Sequence, residues 1–102
     1  MQLHKHVGKY NIIINDGHLD RKSNVWHYQL IVDRFDDEDE WIDSNVFYIV
    51  GHKDGNYKEE TQCHMLIDAW LHNASEEDID KVFTHKRNYK FQIVKPTLVD
   101  LI

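Results

Sequence analysis

Histidine and carboxylate side chains are the groups in this chain best suited to chemistry. Eight histidines occur: His4, His6, His18, His27, His52, His64, His72 and His85. Within "TQCHMLIDAWLHN", residues 61–73, three metal-competent side chains recur every fourth position, His64, Asp68 and His72. On a helix this spacing aligns them along one side, away from Trp70, and histidines on adjacent turns can share a metal ion. No Glu follows His64 in the zincin pattern. His64 and His72 are two turns apart, about 12 Å at the helical rise, too far for one ion. The three residues therefore read as a solvated helical face, with no metal or other cofactor.

Cys63 is the only cysteine, which excludes an internal disulfide and a cysteine-based zinc cage. On a helix it diverges from His64 by about 100°, so the two cannot act as nucleophile and base. It falls on the apolar stripe and is expected to be a buried, inert thiol. There is no serine nucleophile elbow and no phosphate-cradling glycine loop. No catalytic residue is assigned, and the chain reads as non-enzymatic.

The carboxylates are unevenly spread. "FDDEDEW", residues 35–41, holds five in succession: Asp36, Asp37, Glu38, Asp39 and Glu40. The chain has 18 acidic and 12 basic residues, a net charge of −6; without this run the balance is 13 against 12, or −1. The protein is thus a nearly neutral body with one acidic spot. A calcium loop would need alternating oxygens and a glycine for its sharp turn, and Trp41 stands where that turn should continue. Paired acids for acid–base work need burial to split their pKa values, which five adjacent carboxylates on a loop do not suggest. Two readings remain. One is a solvated loop tip whose charge keeps sheet edges apart. The other is a surrogate for a phosphate backbone. An extended strand rises about 3.3 Å per residue, close to the phosphate spacing along one DNA strand. Trp41 and Asp43 would belong to that partner-binding surface, and the Glu76, Glu77, Asp78 and Asp80 group would extend it if the fold brings them together.

Such a spot repels phosphates, so direct nucleic-acid binding is disfavoured, and Lys86, Arg87 and Lys90 are too few to reverse this. The implied partner is a basic protein, a nucleic-acid-binding enzyme being the natural counterpart. A small, compact, acidic chain without catalytic motifs resembles, in composition alone, the counter-defence inhibitors of phages and mobile elements, including anti-CRISPR and anti-restriction proteins. That resemblance implies a viral DNA-mimic inhibitor. Two other classes stay open: a generic assembly or regulatory module with a solvated acidic loop, and a small metal-dependent enzyme using the histidines. The longest apolar run, "VFYIV", is far short of the roughly 20 residues that cross a bilayer. The N-terminus lacks a signal-like apolar stretch. The expectation is a cytoplasmic protein with no membrane contact.

One globular domain spans residues 1–102. Tyr10, Ile12 and Ile14 alternate as a strand, and "NDG" at 15–17 reads as a turn. Trp26, Tyr28, Leu30 and Val32 mark the apolar face of a second strand, antiparallel to the first. "NVFYIVGH", 45–52, is a central third strand, and Asp54-Gly55 allows a short return strand at 56–59. Cys63, Leu66, Ile67, Trp70 and Ala74 form one helical stripe. Ser75 caps a second helix with Ile79, Val82 and Phe83 inside. "YKFQIVK", 89–95, is a last strand ended by Pro96. The apolar tail "TLVDLI" either joins the sheet or forms a homodimer contact. The fold class is α+β: a mainly antiparallel sheet of four to five strands with two helices packed on one face, β-β-β-(β)-α-α-β.

Overall fold

Period-two alternation of apolar residues organises the first half of the chain, and the computed structural model turns it into an antiparallel meander. The structure describes residues 2–52 and 59–101. β1 (Leu3–Val7) and β2 (Tyr10–Ile14) form a hairpin across Gly8 and Lys9, with Gly8 at φ +55, a value that glycine adopts without strain. β1 was absent from the sequence-based expectation. His4, Lys5 and His6 mask its alternation, yet Leu3 and Val7 turn inward.

The "NDG" turn is a correction. β2 and β3 (His18–Asp20) both run antiparallel along the same side of β4 (Val25–Phe35). Asn15, Asp16 and Gly17 join them without reversing the chain. The pairing steps from Ile14↔Leu30 to His18↔His27, one extra residue, as in a β-bulge. The reversal comes at Arg21–Asn24. There the Asp20 carboxylate accepts from the Ser23 amide at 3.0 Å and hydroxyl at 2.6 Å, and Asn24 takes φ 58. Side-chain to backbone bonding of this kind fixes the turn locally.

β5 (Trp41–Val50) pairs antiparallel with β4, then α1 (Glu60–Asn73) and α2 (Glu76–Phe83) carry the chain to β6 (Lys90–Val94), which lies parallel to β5. β7 (Thr97–Asp100) folds back antiparallel to β6, so the apolar tail joins the sheet. The sheet order is β1-β2-β4-β5-β6-β7, with β3 beside β4. The α+β class with a mostly antiparallel sheet and two helices therefore holds. The described residues supply seven strands rather than four or five, the additions being β1, β3 and β7. The expected turn at Asp54-Gly55 and most of the return strand at 56–59 lie outside the described residues.

Both helices cover one face of the sheet. Cys63, Ile67, Trp70 and Leu71 of α1 and Ile79 and Val82 of α2 pack on Ile12, Leu30, Val32, Phe47, Ile49 and Ile93. α2 begins with a capping box: the Ser75 hydroxyl accepts from the Asp78 amide, and the Asp78 carboxylate accepts from the Ser75 amide. Among the described residues no helix is long and apolar enough to cross a membrane.

Candidate functional site

Phe35 ends β4 and Trp41 opens β5, and the two pair across the strands, so the acidic run is the tip of the β4–β5 hairpin. It is not extended, and the line-charge match to a phosphate backbone does not describe it. The Asp36 amide donates to the Glu40 carbonyl at 2.9 Å, and the Asp39 amide donates to the Asp36 carbonyl at 3.1 Å. The Asp36 carboxylate also accepts from the amides of Glu38 at 2.9 Å and Glu40 at 3.0 Å. Asp39 takes φ 61, a left-handed conformation that Asp and Asn tolerate. A short acidic side chain thus finds its hydrogen bonds within its own loop, and that local gain curls the segment.

The seven candidate residues consequently divide by role. Asp36 holds the turn. Asp43 is engaged by Arg34, whose Nε and Nη2 donate to its two carboxylate oxygens at 3.0 Å each. Asp37, Glu38, Asp39 and Glu40 are exposed, and among the described residues no cation lies within ion-pair distance of them. Trp41 is 60% exposed, yet its indole Nε1 donates to Ser44 Oγ at 2.8 Å, and Ser44 Oγ donates to Asp33 Oδ1 at 2.5 Å. Ile42, 46% exposed, is the extra residue where the pairing shifts between Arg34↔Asp43 and Phe35↔Trp41. The bulge re-aims Trp41 and leaves it beside the carboxylates as a fixed aromatic plate.

Of the acids of α2, Asp80 comes to the same end of the sheet but does not join the tip. Arg34 lies 4.9 Å over the Phe83 ring, the Tyr10 hydroxyl donates to Asp80, and Lys9 stands 4.0 Å from Asp80. Lys9 thus faces Asp80, and Arg34 faces Asp43. Burial first, then the Asp80 carboxylate, pushes the Tyr10 phenol well above its usual range.

The helical histidine set stays apart. His64 is half-buried, Asp68 and His72 are exposed, and the described residues contain no group of three such side chains able to hold an ion. Cys63 is wholly buried, and burial pushes its thiol up to about 11.

Two cavities went unnoticed in the sequence because residues far apart in the chain line them. One, of about 460 Å³, opens between α2 and the β6–β7 hairpin. In it His85 Nδ1 donates to the Lys81 carbonyl at 3.0 Å and Nε2 lies 3.4 Å from Asp100 Oδ1. Asp78, on the same wall, is spent on its helix cap, and the Ser75 amide and hydroxyl hold its carboxyl below the usual range. The other cavity lies on the open face of the sheet near His27. The outward parity of His27 in its strand was the one available signal. Comparison with known proteins finds no matching family model, no matching curated protein and no matching solved structure.

Proposed function

We propose that this chain is a non-enzymatic interaction protein whose β4–β5 tip docks on a basic protein surface. The observation that carries this reading is Trp41: a large, mostly exposed aromatic held in one orientation by Ser44 and Asp33. Fixed aromatic side chains cost little entropy on binding and are favoured as interface anchors. Around it, Asp37, Glu38, Asp39 and Glu40 supply negative potential that speeds encounter with a cationic partner. Arg and Lys side chains suit both elements, the carboxylates by charge and the indole by cation–π contact. The groove of a nucleic-acid-handling enzyme offers that chemistry, and occupying it would make the protein an inhibitor of the counter-defence kind whose composition it resembles. The compact turn makes this a plug of clustered charge rather than a copy of a nucleic-acid strand. A single buried thiol suits the reducing cytoplasm.

The test uses three forms of the protein for capture from lysate and then for binding kinetics with the captured partner. They are the wild type, Trp41→Ala, and a form with Asp37→Asn, Glu38→Gln, Asp39→Asn and Glu40→Gln. Asp36 is retained because it holds the turn. The charge-neutral form should associate at least tenfold more slowly at low salt, and the difference should shrink as the Debye length falls to about 3 Å at 1 M salt. Trp41→Ala should dissociate faster. Equal binding by all three forms would rule the tip out.

A further inference from the structure

The sheet face that the helices leave open carries a cavity of about 310 Å³ at the opposite end of β4 from the acidic tip. Cross-strand register builds it. His18, His27, Val50, Gln92 and Val99 pair in one row across β3, β4, β5, β6 and β7. Val25 and Val50, only 3% and 5% exposed, line the cavity, and Leu101 adds apolar surface. Among the described residues Lys90 supplies the one cation of the lining, with the Gln92 amide nearby. His27 lines the same cavity, and its Nε2 is buried with no hydrogen-bond partner among the described residues. A buried polar atom left unpaired is destabilising, so native structures keep few of them without a reason.

We infer that this cavity binds a small monocarboxylate with an apolar body, its carboxylate between His27 Nε2 and Lys90 and its body on Val25, Val50 and Leu101. The volume lies at the lower end of small-molecule sites, about 300–1,000 Å³. The charge balance selects a single negative charge. Asp20 also lines the cavity, and its carboxylate is already held by the Ser23 amide and hydroxyl. Asp20 and Lys90 cancel, so a monoanion is neutralised by one proton taken up on His27, whereas a dianion such as phosphate is left with excess charge. Among the described residues the charged and titratable groups facing His27 are Asp20 and His18 from β3 and Lys90 from β6. Burial holds the imidazole below its usual range, which keeps it neutral in the empty site at neutral pH.

The experiment follows the Val25 and Val50 methyl signals and the His27 imidazole by NMR while the full chain is titrated with benzoate, benzamide or inorganic phosphate. Benzoate should give saturable shifts at all three residues, and benzamide should bind at least tenfold more weakly. Lys90→Met, a change at an exposed side chain, should weaken benzoate at least tenfold and leave benzamide unchanged. Benzoate affinity should fall as pH rises from about 6 to about 8, because His27 must gain a proton on binding. His27→Gln should remove that dependence. No saturable shift at millimolar benzoate would overturn the site. Benzamide equal to benzoate, or phosphate tighter than benzoate, would overturn the monocarboxylate assignment.

Discussion

The ammonium of Lys5, on the first strand, donates to the carbonyl of Leu71 at 2.7 Å, near the far end of α1. It reaches the His72 carbonyl at the same distance. Both carbonyls belong to the last turn of the helix, where orphan acceptors and the negative end of the helix dipole favour a cation. Lys5→Met keeps the stem and removes the charge. It should cost about 1–2 kcal/mol, read as a lower urea midpoint at unchanged slope. An unchanged midpoint would mean that the contact is not stabilising.

Trp70 is 8% exposed and packs in the core from the C-terminal part of α1. Trp70→Ala should cost about 3–5 kcal/mol, which consumes much of the stability of a domain this size. Thermal melting decides this: a retained melting temperature would contradict the packing of α1 on the sheet.

The capping box gives a pH signature. Ser75 holds the Asp78 carboxyl below its ordinary range. A depressed carboxylate contributes stability above its unfolded pKa, about 3.9, and that stability is lost as pH falls through the folded value. Ser75→Ala should cost about 1 kcal/mol at neutral pH, and Asp78→Asn, which removes the carboxylate that the Ser75 amide holds, should flatten the acid limb of the stability curve. Parallel acid limbs for Asp78→Asn and the wild type would refute the assignment.

Cys63 should resist thiol reagents in the native state and react on unfolding. Its thiol, pushed up to about 11, stays protonated in the folded chain while the unfolded one ionises near 8.5. The unfolded state then holds fewer protons, so stability should decline as pH rises above about 8.5. Rapid labelling under native conditions, at a rate above that of unfolding, would show the thiol to be accessible.

Asp36 separates structure from charge at the tip. Asp36→Asn keeps an acceptor for the Glu38 and Glu40 amides, whereas Asp36→Ala removes it. The Ala form should lose about 1 kcal/mol and the Asn form much less. Equal losses, measured by denaturant unfolding, would assign the effect to charge instead.

What the sequence made legible follows from where the periodicities are clean. The α1 stripe reads correctly because Cys63, Ile67 and Trp70 recur at helical spacing, and Ser75 reads as a cap because acidic residues fill the turn that follows it. β1 was illegible because His4, Lys5 and His6 hide its alternation, and Lys5 finds its partner on α1 rather than in its neighbourhood. The Asn15–Gly17 bulge looks like a turn until Asp20 and Ser23 are seen to make the real one. At the tip, composition gave the charge but not the shape, because the curl depends on one carboxylate bonding two amides. The Trp41 clamp and the His27 cavity depend on register across strands, which a one-dimensional pattern does not carry.

The parallel pairing of β5 with β6 has a kinetic consequence. Each pairing from β1 to β5 joins chain segments close in sequence, whereas β6 can reach β5 only after both helices have been laid down. Loop closure makes the near pairings fast and the far one slow. During refolding, amide protection should therefore appear at Leu30 and Phe47 before Phe91. In that interval the apolar face of Ile12, Leu30 and Phe47 has no helix over it and is exposed to association with other chains. The carboxylates of Asp37 to Glu40 stand on the hairpin that forms early, so mutual repulsion keeps half-folded copies apart until the helices arrive.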